Sequence, residues 1–145
     1  MPITPVNTFL NILDKLSNIL RTEFGNTLPV YVGHDTKNVG TQYLRLDPDS
    51  SELVEYTNAS EKREFTINMF YYAFQKKLEK RELENILRIV ARIESLVHDN
   101  IQMTLSDNTT AYNTRIETTE LDVLDDEDKY VVQFELKCLH LSNLG

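Results

Sequence analysis

Arg63-Glu64-Phe65-Thr66-Ile67-Asn68-Met69-Phe70-Tyr71-Tyr72-Ala73-Phe74 alternates along its whole length. Side chains on a strand change face at every residue, so Phe65, Ile67, Met69, Tyr71 and Ala73 share one face. Glu64, Thr66 and Asn68 share the other, which then turns aromatic at Phe70, Tyr72 and Phe74. Next come Leu83, Ile86, Leu87, Val90, Ile93 and Val97, spaced three and four apart as on one stripe of a helix. A long strand followed by an amphipathic helix can organise a small sheet, and the rest of the chain reads as additions to it.

Upstream, Val6, Phe9, Leu10, Leu13, Leu16 and Leu20 mark a first helix, widened by Ile12 and Ile19. Thr4 is its expected N-cap, Pro5 its first residue, and Gly25-Asn26 its stop. Leu28 to Val32 predicts a short strand with Pro29 at its start or on an edge. A polar loop follows from Gly33 to Gly40. Tyr43 to Leu46 predicts another strand, ended by a turn at Asp47-Pro48-Asp49-Ser50-Ser51. Leu53 to Tyr56 is a further short strand, and Thr57 to Ser60 turns it into the central one as a hairpin. The central helix is expected from Leu78 or Glu79 to His98.

After it, Tyr112 to Leu124 and Tyr130 to Leu141 predict a second hairpin with Asp125-Asp126-Glu127-Asp128 at its tip. Ile116, Leu121 and Val123 do not keep one parity, which predicts a bulge near Thr118-Thr119. The order gives an α+β fold in a single domain, residues 1–145. It has a mixed, largely antiparallel sheet, with the N-terminal helix and the long central helix packed mainly on one face.

The chain has 145 residues, a net charge of −8 and one cysteine. A chain of this size buries roughly 68–70% of its unfolded surface, enough for a core without metals or disulfides. The charge argues against a general nucleic-acid binder and against docking on anionic membranes. No apolar run approaches the ~20 residues of a membrane span. Met1 to Pro5 carries no basic-then-apolar signal, so synthesis in a reducing cytoplasm is expected.

Candidate chemistry is sparse. His34, His98 and His140 have no second ligand at a metal-binding spacing. Cys138 sits on an apolar strand face and reads as a buried thiol. The acidic run Asp125 to Asp128 lacks the spacing of a calcium loop. Asp35, Asp47 and Asp49 are the carboxylates an enzyme would have to use, and they read as turn residues. No cofactor is expected, and no enzymatic activity.

Two surface features remain. Phe70, Tyr72 and Phe74 need a cover on the face away from the helices, either a loop of the same chain or a neighbouring subunit. Lys76, Lys77, Lys80 and Arg81 crowd the start of the central helix, where the dipole favours negative charge. They form a basic cluster on an acidic chain, complementary in sign to the tip Asp125, Asp126, Glu127 and Asp128.

The whole order resembles the tail terminators of tailed bacteriophages, also called tail-completion or minor tail proteins. The resemblance rests on the helix Val6 to Arg21, the strand Arg63 to Phe70 and the helix Leu83 to Val97. It continues in Tyr112-Asn113-Thr114-Arg115-Ile116-Glu117, the acidic turn, and Tyr130-Val131-Val132-Gln133-Phe134-Glu135-Leu136-Lys137-Cys138. It covers most of the chain as a pattern of elements, without a short motif. It implies a virion protein without enzymatic activity that forms a homohexameric ring on the tail tube. The ring stops tube growth, contacts the tail-tube protein and a head-closure or neck protein, and lets genomic DNA pass without binding it specifically. The alternatives are another neck component, a small cytoplasmic enzyme using loop carboxylates, or a module that binds a peptide on its aromatic face.

Overall fold

The computed structural model describes residues 6–25, 27–33, 42–74, 80–124 and 129–143. They form α1 (Thr8–Phe24), β1 (Val30–Val32), β2 (Gln42–Tyr56), β3 (Ser60–Phe74), α2 (Lys80–Asp99), β4 (Met103–Thr104), β5 (Thr110–Leu124) and β6 (Lys129–Asn143). The strands make one sheet in the order β1-β2-β3-β6-β5-β4. β1 pairs with β2 in parallel, and the other neighbours are antiparallel. The expected mixed α+β architecture is therefore the one observed, and β3 lies at its centre.

The alternation of β3 decides the layering. Phe65, Ile67, Met69, Tyr71 and Ala73 are buried in one cluster with Ile12, Leu13, Leu16, Leu20 and Phe24 of α1. Ile86, Val90, Ile93 and Val97 of α2 join the same cluster, as do Val132, Phe134, Leu136 and Cys138 of β6. Both helices thus cover one face of the sheet. Arg92 of α2 ties them together: its guanidinium lies 4.7 Å above the Phe24 ring and reaches Glu23 at 3.1 Å.

Three local expectations need correction. Asn7, not Thr4, caps α1: its Oδ1 accepts from the Leu10 N–H at 3.1 Å, while Thr4 and Pro5 lie outside the described residues. The buried stripe is correspondingly later than expected, running through Ile12, Leu13, Leu16, Leu20 and Phe24. Val6 and Leu10 are exposed. On α2, Leu87 faces solvent and Leu83 is only half-buried; Ile86, Val90, Ile93 and Val97 carry the packing.

The third correction concerns Asp47-Pro48-Asp49-Ser50-Ser51, which is strand and not turn. β2 runs through it without a break, absorbing a register shift between Pro48 and Ser50 and another between Leu53 and Glu55. The proline is tolerated because of where its nitrogen points. The Leu44 N–H donates to Pro29 and the Leu46 carbonyl accepts from Gly33, both on β2's outer side. Two residues further on, Pro48 faces the same side, where β1 has ended and no donor is needed. Beyond Leu46 this edge of the sheet is open among the described residues, and Pro48 to Tyr56 is exposed throughout.

The turn into β3 is made as expected. The Thr57 N–H donates to the Ser60 carbonyl at 2.9 Å, and the Thr57 hydroxyl accepts from the N–H groups of Ala59 and Ser60. β5 carries the anticipated irregularity between Ile116 and Thr118, and a second one between Tyr112 and Arg115. Asn113 lies inside that second shift with φ 54°, a conformation asparagine tolerates better than most residues.

Candidate assembly surfaces

On the face of the sheet away from the helices, register brings the aromatic end of β3 against side chains of like direction. Tyr43 is opposite Tyr72, Arg45 opposite Phe70, and Lys129 opposite Phe74. The Tyr43 ring stacks on Tyr72 at 4.6 Å and on Phe74 at 6.2 Å, and Tyr31 meets Tyr43 edge-on at 5.9 Å. Two cations lie over these rings. The Arg45 guanidinium is 4.8 Å from the Phe70 centroid and 5.4 Å from Tyr72; the Lys129 ammonium is 4.3 Å from Tyr72 and 5.5 Å from Phe74. Each such contact is worth about 0.5–1 kcal/mol where solvent reaches it.

Asp47 fixes Arg45 in place through Nε–H···Oδ2 at 3.0 Å. Burial pushes the Tyr72 and Tyr43 phenols up from their ordinary range, with the Arg45 charge working against it. The patch is thus partly covered by its own chain. Tyr72 and Tyr43 are buried, whereas Phe70 and Phe74 remain half-buried.

Of the basic cluster, Lys80 and Arg81 stand exposed in the first turn of α2, and Lys80 lies 4.0 Å from Glu84. Lys76, Lys77 and the tip Asp125, Asp126, Glu127 and Asp128 lie outside the described residues. Because Phe74 pairs with Lys129, the chain leaves β3 and enters β6 at the same end of the sheet.

At the other end a groove of about 600 Å³ opens between the start of α1, the loop before β5 and the strands. Phe9 packs edge-on against Phe65 at 5.0 Å, and Arg63 is held by Glu61. A hydrogen-bonded chain lines the groove: Asp107 Oδ1 to the Thr109 hydroxyl at 2.6 Å, Thr109 to His140 Nε2 at 2.8 Å, and His140 Nδ1 to Ser142 at 3.2 Å. An ionised Asp107 only accepts, so Thr109 donates to it and accepts from His140 Nε2–H. Nδ1 then accepts from Ser142. The chain satisfies a buried neutral imidazole. It was not legible in the sequence because it depends on the pairing of Ala111 with His140; the local signals are the spacings Asp107-x-Thr109, which closes a small side-chain turn, and His140-x-Ser142.

The other candidate groups are dispersed. Asp47 is engaged by Arg45, Asp49 is exposed, and Asp35 and His34 lie outside the described residues. His98 is exposed on α2. Cys138 is fully buried, and desolvation pushes its thiol up to about 12, which leaves it unreactive. Among the described residues no three His, Cys, Asp or Glu side chains gather as for a metal, and no helix is long and apolar enough to cross a membrane.

No protein-family model and no curated sequence matches the chain. Solved structures do, and one of them is a virus-like particle. A chain of the "Virion of native gene transfer agent (GTA) particle" superposes with a TM-score of 0.53, covering 88% of this chain and 84% of that one at 11% identity. Another solved chain gives a TM-score of 0.56 over 93% of both chains at 17% identity. At these identities the likeness is one of fold.

Proposed function

We propose that the protein is a structural component of a phage-type virion, and within it the tail terminator. It would form a homohexameric ring at the head-proximal end of the tail tube, stop tube growth and join the tail to the neck. The observation that carries this reading is the fold likeness, over 88% of this chain, to a chain of a virion particle. The surface supports an assembly role more than a catalytic one. Its carboxylates are dispersed or already engaged, whereas exposed apolar side chains gather on β2 and half-buried rings on β3. The aromatic face of Phe70, Tyr72 and Phe74 is the proposed subunit contact. Of the basic cluster Lys76, Lys77, Lys80 and Arg81, the three lysines are proposed to meet the acidic tip 125–128. A net charge of −8 suits a ring through which DNA moves without sticking.

Gold-labelled antibody on purified particles tests the reading. Label at the head–tail junction is expected, and a particle free of the protein would overturn it. Particles assembled without the protein then separate the terminator from another neck component. Tubes of uncontrolled length identify a terminator. Tails of normal length that fail to join heads identify a head-closure or connector protein instead.

A further inference from the structure

The distal half of β2 is an arm that no described residue covers. Leu53, Val54 and Tyr56 are 48%, 53% and 66% exposed, and the backbone edge beyond Leu46 has no strand beside it among the described residues. Asp49, Glu52 and Glu55 lie among these apolar residues, and none makes an ion pair with a described residue. An exposed edge strand with a row of apolar side chains is a contact surface waiting for a partner.

A surface of opposite sign exists on the same molecule. On the solvent side of α2, Leu87 is 50% exposed, and Arg81 and Arg88 flank it within two turns. Neither arginine makes an ion pair with a described residue, in contrast to Arg92, which is tied to Glu23. The first half of α2 therefore presents exposed Leu87 next to Glu84, with Arg81 and Arg88 together on one flank and unpaired among the described residues, where the arm presents apolar side chains among carboxylates that pair with no described residue.

The fold keeps these two surfaces apart within one chain. The arm ends at Tyr56, which pairs with Glu61 at the beginning of β3. Arg88 and Ile86 lie beside Gln42, Tyr71 and Ala73, at the far end of β3. At roughly 3.3 Å per residue, a strand of this length separates the two ends by about 45 Å. Complementary patches on opposite ends of one subunit are satisfied only between copies, and such a head-to-tail contact builds a ring when its rotation closes.

We propose that the β2 arm of one copy, through Glu52, Leu53, Glu55 and Tyr56, docks on α2 of the next copy at Arg81, Leu87 and Arg88. The proposal rests on the ring reading above and names a contact that builds the ring.

Charge reversal tests it in the full-length protein. Glu52→Lys with Glu55→Lys makes an arm variant, and Arg81→Glu with Arg88→Glu makes a helix variant. All four side chains are exposed, so circular dichroism and melting curves should match the parent. Native mass spectrometry should find each variant monomeric where the parent assembles, and a mixture of the two should restore assembly through the matched reversed pair. As an independent readout, Tyr56→Cys and Leu87→Cys proteins mixed under mild oxidation should form a disulfide-linked dimer that neither forms alone. Parent-like assembly by either charge variant would overturn the contact while leaving the ring standing. A parent chain that is monomeric at all concentrations and absent from the particle would overturn both. An arm variant that still assembles with itself but no longer enters the virion would assign the arm to a different virion protein and overturn the second-copy contact.

Discussion

A neutral imidazole fits the His140 site because both of its nitrogens are already committed, one as donor to Thr109 and one as acceptor from Ser142. Burial holds its pKa below the ordinary 6.5, with the Asp107 charge opposing that shift. The unfolded chain therefore takes up a proton at His140 before the folded chain does. Stability from this group is complete above pH 6.5 and is lost as the pH falls through the window below it. Asp107 is depressed too, chiefly by the Thr109 hydroxyl, so its contribution is lost only below pH 3.8. Melting temperature should accordingly drop between pH 7.5 and pH 5.5, and the drop should shrink in His140→Gln. An identical slope in the variant would remove His140 as its source. In the sequence His140 looked solitary. Ser142 is two residues on, but Thr109 lies 31 positions away, and only the strand register brings it to the ring.

Among the elements, those set by periodicity were legible and those set by competition were not. The alternation of β3 and the three-and-four spacing of α2 survive into the structure because each buries one face of a long, regular element. The stretch Asp47 to Ser51 misled because its turn-forming residues were read as local preference. β2 overrides that preference through its pairing with β3, and its open edge removes the usual penalty on Pro48. α1 shows the opposite case, where a local signal decides. Gly25 closes the helix with φ 57° and ψ −132°, its N–H donating to the Arg21 carbonyl. A Cβ there would meet nothing within 4 Å, so a substitution costs backbone energy alone. Gly25→Ala should lower stability by about 1–2 kcal/mol in urea unfolding. A loss below a few tenths would mean that the helix end relaxes into another cap.

At the scale of the whole molecule, the helices occupy one face of the sheet and leave the other to Phe70, Tyr72 and Phe74. The structure divides that patch into a buried part and a half-open part. Tyr72 is integral to the monomer, held by Tyr43, Arg45 and Lys129, so its replacement would disturb folding as well as contacts. Phe70 is the cleaner probe. Phe70→Ser loses a half-buried ring and its contacts with Arg45 and Tyr72, so it should lower stability by about 1–2 kcal/mol and leave the chain folded, while light scattering should show the loss of assembly. Unchanged assembly would take this face out of the subunit contact. Sequence reading located the aromatic face but not the β2 arm, because the arm's exposure depends on where β1 and α1 stop.

The margins of the sheet that no described strand pairs with bear on how copies of the chain can meet. β2 beyond Leu46 carries Asp47, Asp49, Glu52 and Glu55; β5 beyond Thr114 carries Glu117, Glu120 and Asp122. Copies stacking margin to margin would bring these carboxylates to within a strand spacing of about 4.8 Å, and each margin is also interrupted by bulges. Cross-β growth, the ordinary hazard of an open sheet, is opposed on both sides at once. What such margins leave open is association through side chains in a defined orientation, not strand added to strand without limit.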